Sequence, residues 1–194
     1  MANLRAALGI LWLIFIAGSA AADVQSKTTY KYFTVTGNTA REIYQSLLRH
    51  GPALGDPDAL ASTKVNLTQH PTLAEGQTCK MQNFTARMTY QINLPRLSSS
   101  SAPSPAIRQN WMSFAGALKT HEERHRLIWT ACAERLSWQA LHLKPGNCKS
   151  FKEAYFKISK SFTTTCTTAN SAFDTIERIR FLGSPFIQSV SAGK

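Results

Sequence analysis

The feature that most constrains the fold is a pair of long helical patterns in the second half of the chain. Apolar side chains recur every three or four residues from about residue 106 to residue 143, and again from about 151 to 181. Between them, Lys144-Pro145-Gly146-Asn147 has the composition of a turn. Because so short a connection reverses the chain direction, the two helices are predicted to be antiparallel neighbours.

Each predicted helix carries a stripe of residues on one face, which is expected to point inward. The first stripe consists of Trp111, Phe114, Leu118, His121, His125, Ile128, Cys132, Arg135 and Leu136. The second consists of Phe151, Tyr155, Ile158, Phe162, Cys166, Ala169, Phe173 and Ile176. Two histidines are therefore predicted to face the second helix.

The first half of the chain predicts three strands, from β-branched and aromatic residues and from the alternation of apolar with polar side chains. The predicted strands cover residues 28–36, a stretch from Thr63 to near Pro71, and residues 84–94. The third has the clearest alternation, and Pro95 is expected to end it.

One short helix is predicted over residues 40–50, with Thr39 and Glu42 as a capping box and Gly51-Pro52 as its end. A Ser/Pro-rich segment, Ser98 to Pro105, separates the two halves. The predicted fold class is α+β: a small β-rich N-terminal half with one short helix, packed on a long antiparallel helix hairpin.

The N-terminus has the pattern of an export signal. Arg5 precedes an apolar run from Leu8 to Ala17, and Ala20-Ala21-Ala22 fits a small-residue cleavage site. A signal peptide over residues 1–22 and a single domain over 23–194 are predicted, with the mature chain secreted or periplasmic. No segment of that mature chain is long and apolar enough to predict a membrane span.

The chain is strongly basic, with 22 Lys and Arg against 11 Asp and Glu. Removal of residues 1–22 takes away only Arg5, which leaves 21 basic and 11 acidic residues and a net charge of +10. The basic residues are scattered along the sequence, which favours a solvated surface over a polyanion-binding patch. No nucleic-acid partner is predicted, and any attraction to anionic envelope material is expected to be weak.

The central motif of the first long helix is His121-Glu122-Glu123-Arg124-His125, an H-E-x-x-H pattern. Residues i and i+4 share a helix face, so both imidazoles can reach one metal ion. The Glu122 carboxylate would lie beside that metal, where a general base for water is needed. The motif predicts that His121 and His125 bind Zn²⁺, and the alternative is two histidines that serve only packing.

A catalytic zinc site needs a third protein ligand and one open position. A hairpin that folds back about residue 146 places His121 opposite residue 171, so Asp174 lies about one turn away and Glu177 about two. Asp174 is the predicted third ligand and Glu177 the reserve. Other candidates lie too far along the first helix or in the first half of the chain: Glu134, His142, His50 and His70.

An even number of cysteines in an exported chain predicts disulfides, and this chain has four. In the same hairpin, Cys132 faces residue 160 and lies about 9 Å from Cys166. Cys148 and Cys166 would be about 27 Å apart along one helix, which is too far for a bond. The geometry therefore favours Cys132–Cys166 and Cys79–Cys148.

Several of these elements also occur together in a known family. They are Tyr32 to Gly37 (YFTVTG), Gly51-Pro52 after a helix, Cys79 before a strand that ends in Leu94-Pro95-Arg96, Trp111, His121 to His125, and Cys148. With these features the chain resembles the DUF922 proteins, described as predicted secreted zinc-dependent proteases of bacteria. The resemblance implies a zincin-like fold and agrees with the pairing of Cys79 with Cys148.

The C-terminal part departs from the family pattern, which has an aromatic-Asp pair followed by Thr and then His-Gly. Phe173-Asp174 fits, but Glu177 and Ile179 stand where the Thr and the His are expected. The prediction is an exported zinc peptidase of peptide or protein substrates, with Glu122 as general base. The alternatives are a catalytically degenerate member, a closed structural zinc site, or a non-enzymatic protein that binds an envelope or cell-wall component through its basic surface.

Overall fold

The computed structural model of the protein describes residues 23–52 and 60–193. The predicted signal peptide lies outside these residues, as does most of the loop between Gly51-Pro52 and the second strand. Three strands form one sheet: β1 (Asp23–Val35), β2 (Ser62–Ala74) and β3 (Lys80–Leu97), in the order β1-β3-β2. β1 runs parallel to β3, and β2 runs antiparallel to it.

Four helices complete the described residues: α1 (Ala40–His50), α2 (Pro105–Leu141), α3 (Cys148–Leu182) and α4 (Pro185–Ser191). The predicted α+β class is confirmed, including the long α2–α3 hairpin. The short α4 was not predicted, although Ser184 before Pro185 is a common way to begin a helix. No helix among the described residues is both long and apolar enough to span a membrane.

The sheet buries one face against the long helices and leaves the other exposed. Met88, Tyr90 and Ile92 of β3 are buried, whereas Arg87 and Thr89, which alternate with them, are exposed. This alternation follows from the two-residue period of a strand and confirms the sequence prediction for β3. The buried face positions α2 directly over the central strand.

Several element boundaries differ from the prediction, and the end of β3 is the one for which a specific stop was expected. β3 continues through Pro95 to Leu97, so the expectation that Pro95 ends the strand is wrong. β2 begins at Ser62, opposite Asn93, so β3 has no β2 partner at Pro95. A proline costs little there, because the missing N–H is not needed on the unpaired side.

The inward stripe of α3 also differs from the prediction in its C-terminal half. Ala169 and Ile176 are exposed, while Asn170 is buried and Glu177 half-buried. In this half of α3, the inward stripe therefore lies one residue later in the sequence than the apolar pattern predicted. Polar side chains occupy it because they face the histidines of α2 rather than an apolar core.

Both predicted disulfides are present. Cys79–Cys148 joins the start of β3 to the start of α3, with Cα atoms 4.8 Å apart. Cys132–Cys166 joins α2 to α3, with Cα atoms 6.1 Å apart. The first is reinforced by two backbone hydrogen bonds between Cys79 and Gly146 in the interhelical turn (2.7 and 3.2 Å). The hairpin is thus attached to the sheet at its turn and closed across its middle.

Candidate metal centre

One row of the sheet positions the motif segment of α2. Tyr30, Ile92 and Thr63 lie side by side on β1, β3 and β2. The Tyr30 hydroxyl donates a hydrogen bond to the Glu123 side chain at one edge. At the other edge, the Thr63 hydroxyl donates to the Glu122 carboxylate (2.8 Å) and contacts the Glu122 backbone carbonyl (3.0 Å). Hydrogen bonds to the adjacent acids Glu122 and Glu123 therefore attach the helix to both edge strands of the sheet.

The adjoining face of the same helical turn carries the two histidines, whose Nε2 atoms are 3.0 Å apart. The Oδ1 atom of Asp174 on α3 lies 3.1 Å from His121 Nε2 and 2.9 Å from His125 Nε2. The predicted ligands are thus brought together from two helices, and three potential donor atoms converge on one point.

The shape of this group fits a tetrahedral metal ion. Zinc bonds to nitrogen and oxygen are about 2.0–2.1 Å long, so ligand atoms of a tetrahedral site lie about 3.3 Å apart. The three separations, 2.9 to 3.1 Å, are within a few tenths of an ångström of that value. The histidine side chains are 12% and 13% exposed and Asp174 is 53% exposed, so the group opens to solvent on the Asp174 side.

His125 is held in a defined tautomer by Asn170, a residue that sequence reasoning missed. The Asn170 amide nitrogen donates to the Cys166 backbone carbonyl (2.7 Å), which leaves its Oδ1 as an acceptor for His125 Nδ1–H (2.7 Å). A neutral imidazole with its proton on Nδ1 has its lone pair on Nε2, where a metal is bound. The only sequence signal for Asn170 was a polar residue four positions after Cys166.

His121 is held by aromatic rings instead. Its ring stacks on Phe173, with centroids 4.8 Å apart, and meets the edge of Phe181 at 5.3 Å. Its Nδ1 atom is buried and has no hydrogen-bond partner among the described residues. Burial lowers the pKa of His121, and the neighbouring His125 lowers it further, while Asp174 and Glu177 act in the opposite direction. Burial therefore favours the neutral, metal-binding form of His121.

Glu122 is almost fully buried, at 4% exposed, although it is an acid. Burial raises its pKa to about 7, and the hydrogen bond from Thr63 opposes that rise. A carboxyl group with this pKa can both accept and release a proton near neutral pH. Glu122 thus combines a position next to His121 in the sequence with a pKa near neutrality.

A shallow cavity of about 330 Å³ opens beside His121. Phe173 and Leu127 contribute apolar surface to it, and Arg124, Glu177 and Arg180 contribute charge. Glu177 forms an ion pair with Arg180 (3.4 Å) and is not part of the converging group, so the reserve ligand is not brought to the centre.

The remaining histidines lie elsewhere in the described fold. His142 follows the end of α2 and stacks on Trp138, and His50 hydrogen-bonds within α1. Within residues 23–52 and 60–193, His121, His125 and Asp174 form the group that could hold a metal ion.

The comparison with known families gives one match. The DUF922 family, described as "Bacterial protein of unknown function", matches residues 30–181, which include the second half of β1, the whole motif and Asp174. The chain therefore belongs to this family. No curated protein and no solved structure matches the chain.

Proposed function

We propose that this DUF922 protein is a zinc-dependent peptidase whose metal is held by His121, His125 and Asp174. The observation that carries the proposal is the convergence of these three donor atoms within 3.1 Å of one another. A mixed nitrogen–oxygen set of three protein ligands suits zinc in a catalytic site, where a fourth position stays open. The exposed side of Asp174 is where that position would be reached.

When bound, zinc supplies a Lewis acid that makes water more acidic and polarises a carbonyl group. The residues of the chain supply proton transfer and orientation. Glu122 accepts a proton from the attacking water and returns it to the departing amine, for which a pKa of about 7 is well matched. Thr63 holds the Glu122 carboxylate in place through its hydroxyl.

The substrate chain would lie along the cavity beside His121. Leu127 and Phe173 offer an apolar contact for a side chain, and Arg124 offers a donor for a backbone carbonyl. We infer an exported, secreted or periplasmic location from the predicted signal peptide, and two disulfides are compatible with it. The substrates would then be peptides or proteins of that compartment.

Metal analysis is the first experiment. The purified protein is expected to hold about one zinc ion per chain, and Asp174→Ala should lower zinc affinity by more than the roughly 100-fold typical of an outer-shell partner. Glu177→Ala is the matched control, because it removes a nearby carboxylate that does not contact the histidines. A protein that binds no zinc, or equal losses in the two variants, would disprove the metal assignment.

Hydrolysis of a mixed peptide library, read by mass spectrometry, tests the enzymatic half of the proposal. Glu122→Gln should abolish cleavage while zinc binding persists, and Glu134→Gln, a change at an exposed acid of α2, should leave cleavage intact. Zinc binding without any cleavage by the unaltered protein would identify a structural or degenerate metal site instead.

A further inference from the structure

The face of the sheet that points away from α2 and α3 is polar and, apart from the buried Ser62, exposed or half-buried. Strand pairing arranges it in rows of three residues, one from each strand. In the sheet order β1-β3-β2, four successive rows are Lys31–Asn93–Ser62, Thr29–Gln91–Lys64, Lys27–Thr89–Asn66 and Gln25–Arg87–Thr68. We call these twelve residues the outer sheet face.

Each of these four rows contains one basic residue: Lys31, Lys64, Lys27 and Arg87. All four are exposed, and none of them forms an ion pair among the described residues. No acidic residue occurs in the four rows. The next row begins with Asp23, which accepts a hydrogen bond from Gln25. The face therefore presents four uncompensated positive charges.

The spacing of these charges follows from strand geometry. Successive rows are two residues apart, or about 6.7 Å, so the four charges extend over about 20 Å. Lys31 and Lys27 lie on the β1 edge of the sheet, Lys64 on the β2 edge, and Arg87 on the central strand. Because they come from three strands, they are separated by up to 60 positions in the sequence and form no basic run.

A shallow hollow of about 320 Å³ lies in the middle of the outer sheet face. The face contributes to it the side chains of Thr29, Lys64, Asn66, Thr89 and Gln91. Hydroxyl and amide groups both donate and accept hydrogen bonds, as sugar hydroxyls do. The hollow thus combines a cation with groups that complement a hydroxyl-rich ligand.

We propose that the outer sheet face binds a linear anionic polysaccharide that carries carboxylate groups. Positive charges at intervals of several ångströms attract a chain of regularly spaced acids. Among the twelve residues there is no aromatic side chain on which a nucleic-acid base could stack, and no large apolar side chain that could enter a lipid layer. The proposal is independent of the metal centre, which lies on the opposite side of the sheet.

The experiment measures binding of a fluorescently labelled oligogalacturonate of about twelve residues by anisotropy, with the oxidised protein at two salt concentrations. The triple variant Lys27→Gln, Lys64→Gln and Arg87→Gln should lose about tenfold to a hundredfold in affinity and show a weaker salt dependence. The matched control removes three exposed lysines of α3 instead: Lys149→Gln, Lys157→Gln and Lys160→Gln. It should lose less than about threefold, because it changes only distant, screened charges.

A neutral variant tests the hollow. Thr89→Val removes one hydroxyl without changing the charge, and should weaken oligogalacturonate binding by about fivefold. It should weaken binding of inorganic polyphosphate less, since phosphate oxygens can only accept from the Thr89 hydroxyl, whereas a sugar hydroxyl can also donate to it.

Three results would overturn the proposal. They are undetectable binding at low salt, equal losses in the two triple variants, and equal or tighter binding of a deoxythymidine oligonucleotide or of phosphatidylglycerol vesicles through the same lysines. Unchanged melting temperatures of the variants establish that each loss is local. Binding that persists after zinc chelation would separate this surface from the metal centre.

Discussion

The motif segment of α2 is supported in different ways on its two sides. On the sheet side, Thr63 and Tyr30 hydrogen-bond to the adjacent acids Glu122 and Glu123. On the α3 side, Asp174 and Asn170 contact the histidines, one as a candidate ligand and the other as the partner of His125 Nδ1. The sheet side therefore fixes the helix and its buried acid, whereas the α3 side completes the group that could hold a metal ion.

The difference teaches that the two halves of the proposed chemistry depend on different parts of the fold. Proton transfer by Glu122 depends on burial against the sheet, and metal binding depends on the register between α2 and α3. The Cys132–Cys166 bond lies on the same stretch of α3 as Asn170, whose amide bonds to the Cys166 carbonyl. Changes on one side should therefore leave the function of the other side intact.

The largest effect is expected from the disulfides. The double variant Cys132→Ser/Cys166→Ser opens a loop of 34 residues, and Cys79→Ser/Cys148→Ser opens one of 69. Loop-closure entropy predicts a loss of about 4 kcal/mol in the free energy of unfolding in each case, measured by urea denaturation. Zinc affinity, measured by competition with a chelator, should fall only in the Cys132/Cys166 variant. Equal losses of zinc affinity in the two double variants would show that the α3 side of the site does not depend specifically on the Cys132–Cys166 bond.

On the sheet side, Glu122 should make the stability of the metal-free protein depend on pH. Its folded-state pKa of about 7 lies above the unfolded value of 4.5, so the folded form keeps a proton that the unfolded form releases. The stability it contributes is complete below pH 4.5 and is lost as the pH rises through 7. The difference of about 2.5 pKa units corresponds to about 3 kcal/mol.

Glu122→Gln should remove this dependence, because glutamine keeps the shape and cannot titrate. Urea denaturation of chelator-treated protein from pH 4.5 to 7.5 measures the effect as the difference between the variant and the unaltered protein. The lowered pKa of His121 has the opposite effect on stability, because its stabilising contribution is lost as the pH falls below 6.5. This contribution is present in both proteins and therefore cancels in the difference. Parallel stability profiles would contradict the burial of an acid against the sheet.

On the α3 side, Asn170→Leu should lower zinc affinity by about 10- to 100-fold, because His125 loses the acceptor that selects its tautomer. Asn170→Asp keeps an acceptor at that position and should lose less. The ¹⁵N chemical shifts of the imidazole nitrogens in the metal-free protein provide a second measurement, because a change of tautomer interchanges their values. If Asn170→Leu leaves both the shifts and the affinity unchanged, Asn170 is only a packing residue.

The smallest effect is expected from Thr63→Val, which removes the hydrogen bond to Glu122 and should cost about 1 kcal/mol in stability. That hydrogen bond lowers the pKa of Glu122, so its loss should raise the pKa further. The acid limb of the pH–activity profile should then move to higher pH. Thr68→Val on the exposed face of the same strand is the control, with an expected change within about 0.5 kcal/mol. Zinc affinity should not change in either variant.

Local patterns predicted most of the secondary structure correctly. The capping box of α1 is present as predicted, with the Thr39 hydroxyl accepting from the Glu42 backbone and the Glu42 carboxylate accepting from the Thr39 backbone. The alternation of β3 correctly assigned its buried face, and the short turn correctly predicted the hairpin. Errors arose where a neighbour overrides the local rule, as at Pro95, which lies beyond the end of β2.

The sequence by itself determined the spacing of His121 and His125, since four residues along a helix return to the same face whatever surrounds them. It also favoured the cysteine pairing that the structure has, because a short turn sets the approximate register of the hairpin. Only the tertiary structure decided that Asp174 reaches both imidazoles, that Asn170 rather than Ala169 faces inward, and that Thr63 meets Glu122. These contacts depend on how α3 and the sheet are rotated against α2. That rotation is set by packing between distant segments, which no local period encodes.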